Sequence, residues 1–168
     1  RQPIRLNENN QAAAFVLSNE FYGDSFPTKR YAERDSKLIE EYLINSFGLG
    51  FTGIRTSINT SRIEHFKFTW DEFLRQNHEN KKQFILYVNG YVTIDNEGNI
   101  IYLLGDQASN TWQNISIPLA DLILDVIEAG FIELFIVGDF SFSDENQESA
   151  ISRACLLYTS DAADELSC

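Results

Sequence analysis

Methionine is absent from the 168 residues, and cysteine occurs only as Cys155 and Cys168. The first 154 residues therefore carry no disulfide framework, no thiolate metal site and no cysteine nucleophile. Histidine is almost as scarce. His65 and His78 are the only two, and neither has a second ligand at zincin or zinc-finger spacing, so no metal site is expected. Thirteen Lys and Arg face 25 Asp and Glu, a net charge of −12. Nucleic acid demands clustered basic residues, so this chemistry is excluded as a partner. No apolar stretch approaches the roughly 20 residues that span a bilayer, and no basic-then-apolar leader is visible. A cytoplasmic protein is the expectation. The chain opens on Arg1 rather than methionine, so a start farther upstream is an expectation.

What is present reads as one globular domain with a core large enough to fold. Thirteen phenylalanines predict a core filled with rings. Residues 1–11 are polar and read as an arm. Ala12 to Ser18 is a short apolar run and reads as a buried strand. Tyr31 to Phe47 reads as a helix: Ala32, Asp35, Ile39, Tyr42 and Leu43 recur at three and four, with Glu33, Arg34, Lys37, Glu40 and Glu41 outward. Gly48 is placed to stop it. Phe51 to Ser57 reads as a strand, and Arg62 to Gln76 as a helix capped from Asn59, Thr60 and Ser61. Gln83 to Val88 is a third strand. Val92 to Asp95 and Asn99 to Leu104 flank a hairpin turn at Asn96, Glu97 and Gly98. Gln107 to Asn114 is a polar loop carrying Trp112. Ser116 is expected to cap a helix that has Pro118 in its first turn and runs to Ala129. Its one polar stripe is Asp121, Asp125 and Glu128. Gly130 closes it. Phe131 to Val137 then reads as a strand buried on both faces, leaving through Gly138 to Ser143. This alternation predicts a mostly parallel sheet covered on both sides, with ligands gathered at the carboxyl ends of its strands.

Several motifs carry less than their letters suggest. Gly48, Gly50 and Gly53 spell G-x-G-x-x-G, but a helix precedes them and a strand follows, the reverse of a dinucleotide site. No cofactor is expected. Asp144, Glu145 and Glu148 lack the alternation and glycine of a Ca²⁺-binding loop. Asn59-Thr60-Ser61 and Asn114-Ile115-Ser116 match the glycosylation pattern, which matters only in a secreted chain. Residues 155–165, CLLYTSDAADE, resemble the translation of an adapter used in sequencing libraries. The natural protein is therefore expected to stop being visible near Ala154, with residues 155–168 a non-native tail. Asp161, Asp164 and Glu165 lie in that tail, so residues 1–154 carry −9 of the charge.

The order of motifs in residues 12–154 resembles the caspase-like peptidase domain of the metacaspase type. Asn19 and Tyr22 after the first strand are similar to that family's N-x-x-Y. Tyr31-Ala32-Glu33-Arg34-Asp35 is similar to its Y/L-A-x-x-D helix start. Ile85 to Val92 stands where the family has a strand ending Y-Y-S-G-H-G. Gly98 and Tyr102 to Asp106 are similar to G-x-x-Y-L-x-x-x-D, and Ile115-Ser116-Ile117 to I-S-L. Val137 to Asp144 occupies the place of I-D-A-C-F-S-G. The resemblance implies a three-layer α/β/α caspase-like fold with a mostly parallel sheet, incomplete at its C-terminus.

Carried over by position, the family histidine falls on Tyr91, the glycine after it on Val92, and the cysteine on Ser141. Asp139 matches an acidic residue that lines a pocket for a basic substrate side chain. A serine hydroxyl needs a base, and a phenol with a pKa near 10 is a poor one at neutral pH. The implied function is a catalytically inactive caspase-like module for binding or regulation. A peptide or a second caspase-like chain would be its partner. Two alternatives stay open: a peptidase using Ser141 with an unusual base, and a structural α/β scaffold in a larger protein. Val92 is expected to fill the cleft further.

Overall fold

A computed structural model describes residues 9–22, 26–79, 81–105 and 116–142. Strand β1 (Ala12–Ser18) leads to helix α1 (Ala32–Asn45). A short 3-10 turn at Phe51–Gly53 enters β2 (Ile54–Ile58), and α2 (Ile63–Asn77) follows. Then come β3 (Gln83–Ile94), β4 (Ile100–Leu103), β5 (Ser116–Pro118), α3 (Leu119–Glu128) and β6 (Glu133–Phe142).

These six strands make one sheet, along the path β2-β1-β3-β4-β5, with β6 paired to β3. The β1–β2, β1–β3 and β3–β6 pairs are parallel; β3–β4 and β4–β5 are antiparallel. A strand has two edges, and Val92 pairs with both Phe142 of β6 and Tyr102 of β4. Strand β4 therefore lies on the same edge of β3 as β1, beyond the end of β1.

Every residue of β1 is buried, as expected of a strand with neighbours on both edges and helices on both faces. Its side chains divide by parity. Ala12, Ala14 and Val16 are small and let α1 approach, through Leu43 and Ile39, with Phe47 joining just past the helix end. Ala13, Phe15 and Leu17 meet α2. The Phe15 ring touches Trp70 at 4.9 Å, Phe73 at 5.6 Å and Phe66 at 6.0 Å between centroids, all edge-on. That geometry suits the ring quadrupoles. Leu122 and Val126 of α3 close the same layer. The architecture is α/β/α, with a mostly parallel sheet between α1 on one face and α2 with α3 on the other.

The stops at Gly48 and Gly130 stand at positive φ, 81° and 91°, where a side chain would clash with its own backbone. Other expectations are corrected. Residues 51–53 form a 3-10 turn before the second strand. Asn59 does not cap α2, whose start has no side-chain cap; its Oδ1 accepts the Glu20 N–H at 2.7 Å. Ser116, Ile117 and Pro118 do not begin a helix but pair with Leu103, Tyr102 and Ile101. Tyr42 faces outward, whereas Ser36 is the buried polar residue of α1 and bonds the Ala32 carbonyl at 2.8 Å.

Strand β6 is not buried on both faces either. Phe135 and Val137 are 43% and 49% exposed. They border an open apolar groove with Ile39, Tyr42, Ile85 and Tyr87. Among the described residues, β6 pairs only with β3, and α1 reaches no farther than that groove. The loop at 107–114, the acidic cluster at 144–148, the glycosylation match at Asn114 and the tail at 155–168 lie outside the described residues.

Candidate functional site

The parallel strands β1, β3 and β6 bring their carboxyl ends to one side of the sheet. Strand β1 accompanies β3 only as far as Asn89, and β4 joins at Val92. Gly90 and Tyr91 fall in the gap between the two partners, where no strand supplies the missing backbone bonds. The backbone just past β1 and two tyrosine side chains supply them instead. The Asn89 carbonyl accepts the Asn19 backbone N–H at 3.0 Å and the Tyr102 O–H at 3.0 Å. The Tyr91 N–H donates to the Tyr22 hydroxyl oxygen at 2.9 Å. Asn19 also donates from its side chain to the Leu103 carbonyl at 3.4 Å.

A Cβ at Gly90 would overlap the Tyr22 hydroxyl and come within 2.8 Å of the Tyr102 hydroxyl. Only glycine lets the two phenols seat over the gap. Burial holds both far above the usual phenol range, and hydrogen bonding to the backbone offsets part of that shift. Both phenols are thus neutral hydrogen-bonding plugs at any ordinary pH.

Parity then assigns the faces. Phe84, Leu86, Val88 and Val92 lie in the layer under α2 and α3. Ile85, Tyr87, Asn89 and Tyr91 face the α1 side. In the parallel register Tyr87 stands beside Val137, Asn89 beside Asp139, and Tyr91 beside Ser141. Adjacent strands run about 4.8 Å apart, so Tyr91 and Ser141 are direct lateral neighbours on one face. Val92 points the other way and is fully buried in the core. The expectation that it fills the cleft is therefore corrected.

Tyr91 is enclosed by rings. Tyr22 meets it edge-on at 5.0 Å, and Phe26 stacks on it at 5.0 Å with planes 22° apart. Beside this cluster, Lys29 reaches Asp139. Its Nζ lies 3.3 Å from Asp139 Oδ1 and also donates to the Asp139 backbone carbonyl. The Lys29 side chain is 13% exposed. Burial lowers its pKa below the usual ammonium value, and the Asp139 carboxylate offsets part of that.

Both imidazoles are elsewhere. His65 is on α2 and His78 immediately follows it. Both are exposed, and α2 covers the opposite face of the sheet through Phe66, Trp70 and Phe73. Among the described residues, no three His, Cys, Asp or Glu side chains gather as metal ligands, and no helix is long and apolar enough to cross a membrane.

Sequence reasoning did not find Lys29 or Phe26. They sit in a loop with no periodicity, and the partner of Lys29 is 110 positions away. Asn19, Tyr22 and Tyr102 were visible as motif letters, but their work as plugs of the β1–β4 gap was not.

No protein-family model matches the chain, and no curated protein sequence does. Solved structures do. The crystal structure of the Drosophila initiator caspase Dronc superimposes with a TM-score of 0.57 at 13% identity, over 82% of this chain. The fold is caspase-like. The chain spans about half of the Dronc chain, 52%.

Proposed function

We propose that residues 12–154 form a catalytically inactive caspase-like domain, of the peptidase type by descent, acting as a binding or regulatory module. The observation that carries this reading is the pairing of Tyr91 with Ser141 on a face that neither imidazole shares. A serine alcohol attacks a carbonyl only when a base removes its proton. The neighbouring phenol is a poor general base for that proton. Loss of the nucleophile–base unit of a hydrolase removes on the order of 10⁶ in turnover. Rings pack around Tyr91, and the Lys29 ammonium sits on Asp139.

Such a domain keeps a shaped strand-tip surface, and a peptide or a second caspase-like chain is the partner that surface suits. The test is incubation of the protein with arginyl-, lysyl- and aspartyl-directed peptide substrates. The expected result is no hydrolysis above the uncatalysed rate. Hydrolysis that disappears in Ser141→Ala would overturn the reading and make Ser141 a nucleophile.

A further inference from the structure

We propose that Lys29 is a built-in occupant of Asp139: a latch that holds the Phe26–Tyr31 segment across the ends of β3 and β6 and competes with outside cations for that carboxylate. The inference rests on the reading of Asp139 as a binding group of the same surface.

The segment is mostly self-contained. The Lys29 N–H bonds the Glu20 carbonyl at 2.9 Å, Arg30 N–H bonds Thr28 at 3.0 Å, and Ala32 N–H bonds Lys29 at 3.2 Å. Those bonds fold the segment on itself and on the end of β1. It meets β3 and β6 through contacts of different physics. The Phe26 ring stacks on Tyr91, and the Lys29 ammonium takes the Asp139 carboxylate and carbonyl. The ion pair is lopsided: the Lys29 side chain is 13% exposed, the Asp139 side chain 56%. Lysine has given up most of its water for two oxygens of one residue, while the carboxylate still faces solvent. Lysine normally keeps its ammonium hydrated, so this contact is made at a cost that a purely local loop would not need.

A cationic ligand of Asp139, an amine or a guanidinium, therefore competes with Lys29 for the carboxylate. Displacement frees the Lys29 anchor and loosens the stack on Tyr91.

The experiment uses the whole chain and the variants Lys29→Met, Asp139→Asn and the charge exchange Lys29→Asp with Asp139→Lys. Hydrogen–deuterium exchange is read at the Lys29 and Ala32 amides, with β1 and β3 amides as the measure of global folding. Loss of one charge-assisted contact is expected to speed exchange in the segment about tenfold in each single variant, with β1 and β3 unchanged. The charge exchange is expected to restore slow exchange. Argininamide is the external cation. It is expected to bind Lys29→Met about tenfold more tightly than the unaltered chain, because the competing state is removed. Exchange in both single variants that matches the unaltered chain, or argininamide binding to Lys29→Met no tighter than to the unaltered chain, overturns the latch. Should Lys29→Met fail to fold, Asp139→Asn gives the same exchange reading. Peptide hydrolysis measured on the same samples keeps the two proposals apart. Turnover with fast exchange sinks the inactive reading and leaves the latch. No turnover with unchanged exchange does the opposite.

Discussion

Replacing Tyr22 by phenylalanine removes one oxygen and leaves the ring. In the native chain that oxygen accepts the Tyr91 N–H at 2.9 Å, in the gap where β1 has ended and β4 has not begun. No backbone acceptor stands there, so the variant leaves a strand N–H without its partner. The cost of such a stranded donor is about 1–3 kcal/mol. In a chain of this size it corresponds to a fall in Tm of roughly 2–4 °C per kcal/mol. The same oxygen also makes the stability depend on pH. Burial raises the Tyr22 pKa in the folded state, so between the unfolded value near 10 and the higher native value the folded chain holds a proton that the unfolded chain has released. This contribution is complete below about pH 10 and is lost as pH climbs beyond it. At pH 11 the unfolded phenol gains about 1.4 kcal/mol by ionising. Phenylalanine has no proton to lose. The penalty of Tyr22→Phe should therefore shrink by about 1.4 kcal/mol between pH 8 and pH 11. Urea unfolding followed by tryptophan fluorescence at both pH values measures it. A penalty under about 0.5 kcal/mol at pH 8 would mean that the Tyr91 N–H finds another acceptor, water included, and so refute the plug. A penalty that stays constant with pH would refute the burial of the hydroxyl.

Two further substitutions probe the scaffold under this surface. Gly90→Ala forces a methyl against the Tyr22 and Tyr102 hydroxyls; it should cost about 1–3 kcal/mol in urea unfolding, and a neutral result would mean the phenols move freely. Phe15→Ala empties the centre of the ring cluster formed with Phe66, Trp70 and Phe73; a loss of about 3–5 kcal/mol is expected, with a collapse of near-UV circular dichroism. A loss below about 1 kcal/mol would show that the neighbouring rings close the hole.

The local elements were largely legible in the residues. Ala12 to Ser18 is an unbroken apolar run and is β1, with the same bounds. The three-and-four spacing after Tyr31 and the residues after Arg62 mark α1 and α2 to within two residues. Gly48 and Gly130 mark helix ends because positive φ is a local demand. Where a local cue competed with a pairing partner, the partner prevailed. Ser116 and Pro118 carry the letters of a helix start, yet β4 offers an edge and they complete a short strand. Strand β3 is twelve residues long because β6 and β4 extend its pairing past Val88, where its own apolar run ends.

The candidate site divides in the same way. The chemistry that Tyr91 and Ser141 can perform, and the scarcity of histidine and cysteine, follow from residue identity alone, because neither a phenol nor an alcohol is a good proton acceptor of the kind an imidazole is. That these two are neighbours on one face, that Val92 turns into the core and that the imidazoles lie across the sheet depend on strand register and parity, which join segments 50 residues apart. Lys29 is the extreme case. Nothing near it in the chain announces Asp139, since an ion pair is set by distance in space and a loop carries no periodic trace of what it will touch.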